Sequence, residues 1–195
     1  MRESVKTLQT LIVQSGYSID IDGIYGKQTR TAIERLCVPN WVKTAMKEIG
    51  TREIHGKKHE ERVIEYHSVS GGFSTDEVPW CGSFVNWVMK EHKYDTVSYP
   101  ARAKSWLNFG KSSDGPIVGS VAVKERNGGG HVCFVVGKNM EGDLYCLGGN
   151  QNDEVNIKLY KKDVFLDFRI PSNYNMEVLP YYALHDQDSG VTREA

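Results

Sequence analysis

The chain has 195 residues, of which 39% are hydrophobic and 25% charged, with a formal net charge of −1 at pH 7. These are ordinary values for a folded protein with room for one full domain and a smaller one. A net charge of −1 gives no argument for a nucleic-acid-binding protein, and no apolar run approaches the roughly 18 residues of a membrane span. The four cysteines are irregularly spaced, so no disulfide framework is predicted.

The N-terminal region predicts two helices around a tight turn. Apolar residues at positions 5, 8, 11 and 12 predict a helix that stops at Gly16, and a second helix is predicted over residues 29–36. Between them lies the sequence DGIYG at 22–26. This pattern resembles the small three-helix peptidoglycan-binding module. The resemblance makes Tyr25 a candidate glycan-binding residue, with packing as the alternative. So short a module has little core, so we expect it to lean on the next domain.

The middle of the chain predicts a domain junction and two further helices. The junction falls at residues 39–41, and the helices at 41–49 and 62–67. A glycine-rich loop at 70–74 follows. Asp76 and Glu77 after it either hold this loop, meet a positively charged group of the substrate, or are simply solvated. The remaining histidines match no catalytic pattern and are predicted to lie at the surface: His55, His59, His67, His92 and His185.

The sequence PWCGSFVNW at 79–87 places Cys81 at the start of an amphipathic helix. A helix N-terminus stabilises a thiolate, so this is a candidate nucleophile. Gly82 would let a substrate come close, and Trp80 and Trp106 are candidate walls of a substrate cleft. The alternative for Cys81 is a buried structural cysteine, and for the tryptophans it is core packing.

Two predicted strands follow. The loop 128–130 brings His131 to the first position of a buried strand. The next strand is predicted over 144–151, with Asn150 at its far end. A thiol, an imidazole and an amide are the components of a cysteine-nucleophile triad. Taken singly, His131 is also typical of a strand-end histidine and Asn150 of a Gly-Gly-Asn turn.

Four sequence blocks occur in order along the chain: VPWC at 78–81, AKSWLNFG at 103–110, GHV at 130–132 and LGGNQ at 147–151. Together they resemble the cysteine–histidine amidohydrolase/peptidase group of CHAP and NlpC-like enzymes. Residues 116–123 also fit the strand that leads into the histidine loop of this family. The resemblance implies a papain-like domain, in which a cysteine-bearing helix packs on an antiparallel sheet. It also implies Cys81 as nucleophile, His131 as base and Asn150 as the residue that orients the histidine. Gln151 is a further candidate substrate-binding residue.

The chain departs from the family pattern at two positions. Many CHAP enzymes have a glutamate two positions before the asparagine, where this chain has Gly148. Cys133 stands where a small residue such as glycine is expected, and it shares a strand face with His131. It could form a metal site with Cys81 and His131, form a disulfide with Cys81 that silences the enzyme, or simply pack in the core; packing is preferred.

The predicted fold is therefore α+β, with a peptidoglycan-binding module at 1–39, a catalytic domain at 40–182 and a flexible tail at 183–195. The resemblance implies hydrolysis of an amide in the peptidoglycan peptide stem or cross-link through a thioester, with no cofactor or metal. An endopeptidase is preferred. The alternatives are an N-acetylmuramoyl-L-alanine amidase, an acyl transferase on the same fold, and a non-catalytic wall-binding or virion structural protein.

The predicted partner is bacterial peptidoglycan, without nucleic acid or membrane insertion, and the predicted state is a monomer. Residues 1–4 open no signal-peptide core. A wall hydrolase without one is expected to be a phage endolysin, made in the host cytoplasm and acting on the periplasmic wall after its release. The alternative is a bacterial toxin exported by a dedicated secretion system.

Overall fold

The computed structural model describes residues 2–56, 58–126 and 128–175, in which helices precede an antiparallel sheet. The α-helices are α1 (Arg2–Gln14), α2 (Lys27–Arg35), α3 (Asn40–Lys47), α4 (Glu61–Ser68) and α5 (Cys81–Glu91). The strands are β1 (Lys111–Ser112), β2 (Val121–Arg126), β3 (Gly129–Lys138), β4 (Leu144–Gly148), β5 (Asn156–Tyr160) and β6 (Phe165–Ile170), and 3₁₀-helices span Ala103–Asn108 and Lys162–Val164. The α+β class is confirmed. The predicted tail at 183–195 lies outside the described residues.

The sheet has the strand order β1-β6-β2-β3-β4-β5, and each pairing is antiparallel. Helix α5 packs on one face of this sheet, where Phe84 meets Phe134 with ring centroids 6.3 Å apart. Side chains at positions 132, 134 and 136 of β3 belong to this core, whereas Cys133 and Val135 belong to a second cluster on the opposite face. The alternation follows from the two-residue period of a strand.

The strand predicted over 116–123 starts later than expected, at Val121. Pro116 has no N–H to donate to a strand ladder. The hydroxyl of Ser120 donates to the carbonyl of Ile117 at 2.8 Å, which closes a turn in place of a strand.

The N-terminal module shares its core with the sheet domain. Val5 and Leu8 of α1 lie in the same apolar cluster as Phe84 of α5, and the Ser4 hydroxyl donates to Oε1 of Glu154 at 2.6 Å. The module therefore leans on the sheet domain, as its small size predicts. Residues 2–39 form α1 and α2, and the third helix that packs on α2 is α3, which lies beyond the predicted boundary.

Behind α5, the prediction of a surface position for His67 is wrong. His67 is fully buried in α4, and its Nδ1 lies 3.0 Å from the hydroxyl of Ser83 in the first turn of α5. Burial lowers the pKa of His67, which favours a neutral ring that braces α5. The residue sits at a helix end, where the apolar periodicity that would reveal burial is short.

The loop before α5 is held by Asp76, which is fully buried. Its carboxylate accepts hydrogen bonds from the backbone N–H groups of Ile54 at 2.9 Å and Glu60 at 2.8 Å, and it lies 2.8 Å from Nδ1 of His59. Of the three roles predicted for Asp76, loop holding is therefore confirmed. Among the described helices, none is long and apolar enough to cross a membrane.

Candidate active site

Cys81 is the first residue of α5 and follows the N-cap residue Trp80. It is 6% exposed. Burial raises the pKa of its thiol, but the His131 imidazole and the backbone N–H groups of Val132 and Gly82 outweigh burial and bring the pKa below its ordinary value. The positive end of the α5 dipole acts in the same direction. The thiol is thus biased toward the nucleophilic thiolate.

His131 is the third residue of β3, opposite Lys124 on β2, and is 2% exposed. Its Nε2 lies 3.1 Å from Oε1 of Gln151. Its Nδ1 is buried and has no formed hydrogen bond among the described residues, although the ring is close enough to Cys81 for each group to shift the pKa of the other. Burial lowers the pKa of His131, but contacts with Cys133 and Cys81 outweigh it and raise the pKa to about 10.

Gln151 is held rigidly by its neighbours and is 3% exposed. Its Nε2 donates to the backbone oxygens of Cys146 at 3.3 Å and Asn156 at 2.8 Å, and to Oδ1 of Asn156 at 2.9 Å. The hydroxyl of Tyr160 donates to Oε1 of Gln151 at 2.9 Å. Because backbone carbonyls only accept hydrogen bonds, the amide nitrogen must face them, and the amide oxygen must face His131.

This orientation fixes the tautomer of the histidine. Oε1 of Gln151 can only accept, so Nε2 of His131 carries a hydrogen and donates it. In the neutral ring, the lone pair is then on Nδ1. Nδ1 is the nitrogen left without a partner among the described residues, so the free lone pair is available to the thiol of Cys81. The arrangement can transfer a proton from thiol to imidazole.

Asn150, which the family resemblance predicts as the orienting residue, makes different contacts. Its backbone is left-handed, with φ 55°, a conformation that asparagine tolerates better than most residues. With the amide oriented to satisfy both ends, its oxygen accepts from the backbone N–H of Trp80 at 3.2 Å and its nitrogen donates to Asp153 at 3.3 Å. Asn150 thus ties its turn to the residue before Cys81.

Gly148 occupies a position that has no room for a side chain. A Cβ there would lie 2.9 Å from Cβ of Cys133 and 3.2 Å from Oε1 of Gln151. The side chains of Cys133 and Gln151 fill the space that a side chain at position 148 would need. This explains why the chain has a glycine where the family resemblance predicts a glutamate. The oxygen that reaches the histidine comes from Gln151.

The far side of His131 is closed. A small cavity of about 10 Å³ is lined by Lys124, Arg126, His131, Asn150, Gln151, Asn152 and Tyr160. Such a volume holds at most about one water molecule. Gln151, predicted as a substrate-binding residue, thus lies behind the imidazole with its amide already fully hydrogen-bonded.

The predicted cleft walls lie in the core. Trp80 and Trp106 are both fully buried, and their indole nitrogens donate to Glu53 at 3.2 Å and to the Pro100 carbonyl at 2.9 Å. Neither presents a surface to a ligand here. At Gly82, a Cβ would lie 2.4 Å from the Pro100 carbonyl oxygen, so the missing side chain makes room for this segment of the chain itself.

Tyr25, the predicted glycan contact, is half-buried at the turn before α2, where it packs against the core. Its hydroxyl is buried and has no hydrogen-bond partner among the described residues. Burial raises the pKa of this hydroxyl.

Cys133 and Cys146 form a pair of buried free thiols behind His131. Burial raises the pKa of Cys133, but interactions with Cys146 and His131 outweigh it and lower the pKa to about 6. The pKa of Cys146 is raised by burial and by Cys133. The thiol neighbour of Cys133 is thus Cys146, and Cys81 is also a free thiol. Among the described residues, no group of three or more His, Cys, Asp or Glu side chains is arranged to hold a metal ion.

Two family models match this chain. Residues 73–150 match the CHAP domain, and residues 1–36 match a putative peptidoglycan binding domain. The first match includes Cys81, His131 and Asn150, and ends one residue before Gln151. Comparisons with curated proteins and with solved structures gave no significant match. The chain thus carries a CHAP domain behind an N-terminal peptidoglycan-binding domain, a pairing that supports a peptidoglycan hydrolase.

Proposed function

We propose that this chain cleaves an amide bond in the peptide stem or cross-link of peptidoglycan, with Cys81 as the nucleophile and His131 as the proton carrier. The observation that carries the proposal is the hydrogen bond from Nε2 of His131 to Gln151, because it leaves Nδ1 available to the thiol. The orienting role is assigned to Gln151, whereas the family resemblance predicts Asn150. The two are separable by mutation.

The reaction proceeds through a thioester. The Cys81 thiolate attacks the carbonyl carbon of a stem amide, and a tetrahedral oxyanion forms. Nδ1–H of His131 protonates the amine nitrogen, the C–N bond breaks, and a thioester remains on Cys81. The neutral imidazole then removes a proton from water, which attacks the thioester and releases the carboxylate and the thiol.

The oxyanion needs hydrogen-bond donors at the start of α5. The backbone N–H of Cys81 belongs to the first turn of the helix, whose N–H groups have no intrahelical partners. It is therefore the proposed oxyanion donor, assisted by the helix dipole. Removing one such donor typically costs about 10²- to 10³-fold in rate.

Digestion of purified Gram-negative peptidoglycan, with products identified by mass spectrometry, tests the proposal. The native protein should release fragments with new amine termini, and Cys81→Ala should release none while still binding the wall. Cys37→Ala is the matched control, since Cys37 is an exposed free thiol far along the chain from the site. If neither the native protein nor the control digests the wall, the catalytic proposal fails and a wall-binding protein remains.

The same products identify the bond. Free peptides with intact glycan–alanine linkages indicate an endopeptidase, which is the preferred activity. Glycan chains freed from their first alanine indicate an N-acetylmuramoyl-L-alanine amidase. New cross-links in place of amine termini indicate an acyl transferase.

The proposed biological role is that of an endolysin, made in the host cytoplasm and acting on the periplasmic wall after release. A wall-binding domain joined to a wall hydrolase domain supports it. Expression in the cytoplasm of a Gram-negative host should leave cell turbidity unchanged until the inner membrane is permeabilised. Lysis without permeabilisation would contradict this role.

A further inference from the structure

A groove lies on the N-terminal module, away from the cysteine and histidine. It is formed by the loop after α1 and by one side of α2, and its volume is about 640 Å³. This is within the range of pockets that hold small ligands, about 300–1,000 Å³. The residues that line it are Tyr17, Ser18, Ile19, Lys27, Gln28, Thr31, Ala32 and Arg35. All of them fall within the match to the peptidoglycan binding domain.

The floor of the groove is apolar and fixed. Tyr17 and Ile19 are half-buried and pack against the main core, and Ala32 is buried. The hydroxyl of Tyr17 donates to the backbone carbonyl of Arg35, which fastens the loop to the end of α2. The groove is therefore held open by the fold and needs no ligand to form.

The rim of the groove is cationic. Lys27, Thr31 and Arg35 recur every four residues, so they lie along one side of α2. Lys27 and Arg35 are exposed, and within the described parts of the chain neither forms an ion pair. The carboxylate of α2, Glu34, is instead bound by Lys47 at 2.7 Å.

The position of Lys27 is not explained by helix stability. It lies in the first turn of α2, which contains no acidic residue and has Gly26 as its N-cap. A cation at this end of a helix is opposed by the helix dipole. A negatively charged ligand in the groove would reverse that penalty.

We propose that this groove binds the peptide stem of peptidoglycan through its free carboxylates, with Lys27 and Arg35 each pairing with one carboxylate and the apolar floor receiving the aliphatic side chains. That the polymer is peptidoglycan rests on the proposed function. That the bound part is the peptide stem follows from the charge of Lys27 and Arg35. In the intact polymer, the lactyl carboxyl of a stem-bearing muramic acid is consumed in the amide bond to the stem, so the glycan there offers these cations no carboxylate. Two helical turns separate Lys27 from Arg35 by about 12 Å, which an extended peptide of about three to four residues spans.

The test uses the full chain with Cys81→Ala, so that no ligand is consumed. Calorimetric titration compares a soluble stem tetrapeptide with free carboxylates, the same peptide with its carboxylates amidated, and, as the glycan, N-acetylglucosamine oligosaccharides, which have no carboxylate. We expect the free-carboxylate peptide to bind, and the amidated peptide and the glycan to bind at least 10-fold more weakly. Raising the salt concentration should weaken binding of the charged peptide.

Side-chain variants locate the binding in the groove. Lys27→Gln combined with Arg35→Gln should lower affinity for the stem peptide at least 10-fold. Arg30→Gln is the matched control, because Arg30 is exposed on the same helix but does not line the groove. The groove proposal is overturned if the double variant binds as tightly as the control, or if glycan binds and peptide does not.

A parallel assay separates this proposal from the catalytic one. The same two variants, made with Cys81 intact, are given a small soluble cross-linked muropeptide and then whole sacculi. Loss of activity on sacculi with unchanged activity on the soluble substrate supports a binding groove. Unchanged activity on both substrates contradicts the binding groove but not the hydrolase proposal. If the native protein has no activity, the hydrolase proposal is wrong, and the calorimetric result is unaffected.

Discussion

Nε2 of His131 lies 3.1 Å from the amide oxygen of Gln151, and the amide nitrogen of Gln151 is committed to backbone carbonyls on its other side. The glutamine therefore cannot turn around, and the histidine cannot change tautomer without losing this hydrogen bond. Nδ1 of His131 is thus the ring nitrogen left to exchange a proton with Cys81 before any substrate arrives. Preorganisation of this kind lowers the reorganisation that the reaction step must include.

The first prediction separates Gln151 from its neighbour. Gln151→Ala should lower kcat about 10²-fold, because the imidazole loses its orientation. Asn150→Ala should have a smaller effect on kcat, since the contacts of Asn150 are to Trp80 and Asp153. Steady-state kinetics on soluble muropeptides, with circular dichroism to verify folding, measure the difference. A larger loss in Asn150→Ala than in Gln151→Ala would return the orienting role to Asn150.

Tyr160 provides a second prediction, because its hydroxyl is the other donor to the Gln151 oxygen, at 2.9 Å. Tyr160→Phe should lower kcat severalfold with KM unchanged, since the residue is buried behind the imidazole. The loss of one buried hydrogen bond should reduce the free energy of unfolding by about 1 kcal/mol. The matched control is Tyr145→Phe, a buried tyrosine in the core on the other face of the sheet.

The kinetic split distinguishes positioning from packing. If Tyr160→Phe and Tyr145→Phe both unfold more easily but retain the native kcat, Tyr160 is purely structural. A raised KM in Tyr160→Phe would instead indicate that the closed cavity behind His131 opens to substrate.

The sequence predicts the components of this site better than their connections. The block around Cys81 and the strand of His131 are readable because each combines a motif with a recognisable helix or strand pattern. The choice between Asn150 and Gln151 cannot be made from the sequence. It depends on the left-handed backbone of Asn150, which turns the chain so that the side chain of Gln151 points back at the imidazole. Neither the alternation of apolar residues nor the spacing of the motifs predicts this change in backbone direction.

Burial is the other property that the sequence leaves open. Trp80, Trp106 and His67 each have a polar group that suits a surface or a cleft, yet all three are fully buried. Their polar atoms find partners from distant parts of the chain, such as Glu53 for Trp80. Such long-range partners arise from tertiary packing, which local patterns do not encode.

The pH dependence follows from the opposed pKa shifts of the proposed catalytic pair, Cys81 and His131. The pKa of Cys81 is lowered, and that of His131 is raised to about 10. The reactive form, thiolate with imidazolium, exists between the two values. We therefore expect a bell-shaped profile of kcat/KM against pH, in which activity is lost in acid as the thiolate is protonated and lost in alkali near pH 10 as the imidazolium loses its proton.

Alkylation by iodoacetamide measures the ionisation of the Cys81 thiol, which sets the acid side of this profile, and it needs no substrate. In a Cys37→Ala background, the rate at Cys81, followed by peptide mass spectrometry, should rise at a lower pH than for an ordinary thiol. His131→Ala should move this rise to higher pH, because it removes the interaction that opposes burial. An unchanged profile in His131→Ala would show that the two side chains are not coupled.

The last prediction concerns Glu154, which joins the N-terminal helix to the turn that carries Gln151. Its carboxylate accepts from Ser4 at 2.6 Å and pairs with Arg52, and its backbone oxygen accepts from the Gln151 N–H at 3.1 Å. Glu154 is buried, and although burial raises its pKa, Ser4 and Arg52 outweigh burial and hold the pKa below its ordinary value of 4.5. A folded-state pKa below the unfolded value stabilises the fold above the unfolded value.

Glu154→Gln should therefore lower the free energy of unfolding at pH 7 by about 1.5–3 kcal/mol, the cost of losing a hydrogen bond to a charged group. The difference between native protein and variant should shrink as pH falls through the folded-state pKa, where the native carboxylate is itself protonated. Urea unfolding at neutral and acidic pH measures both. Glu34→Gln, which removes an exposed ion pair with Lys47, is the control and should cost less than about 1 kcal/mol at either pH. A gap for Glu154→Gln that is constant with pH would mean that packing, not charge, links the helix to the catalytic turn.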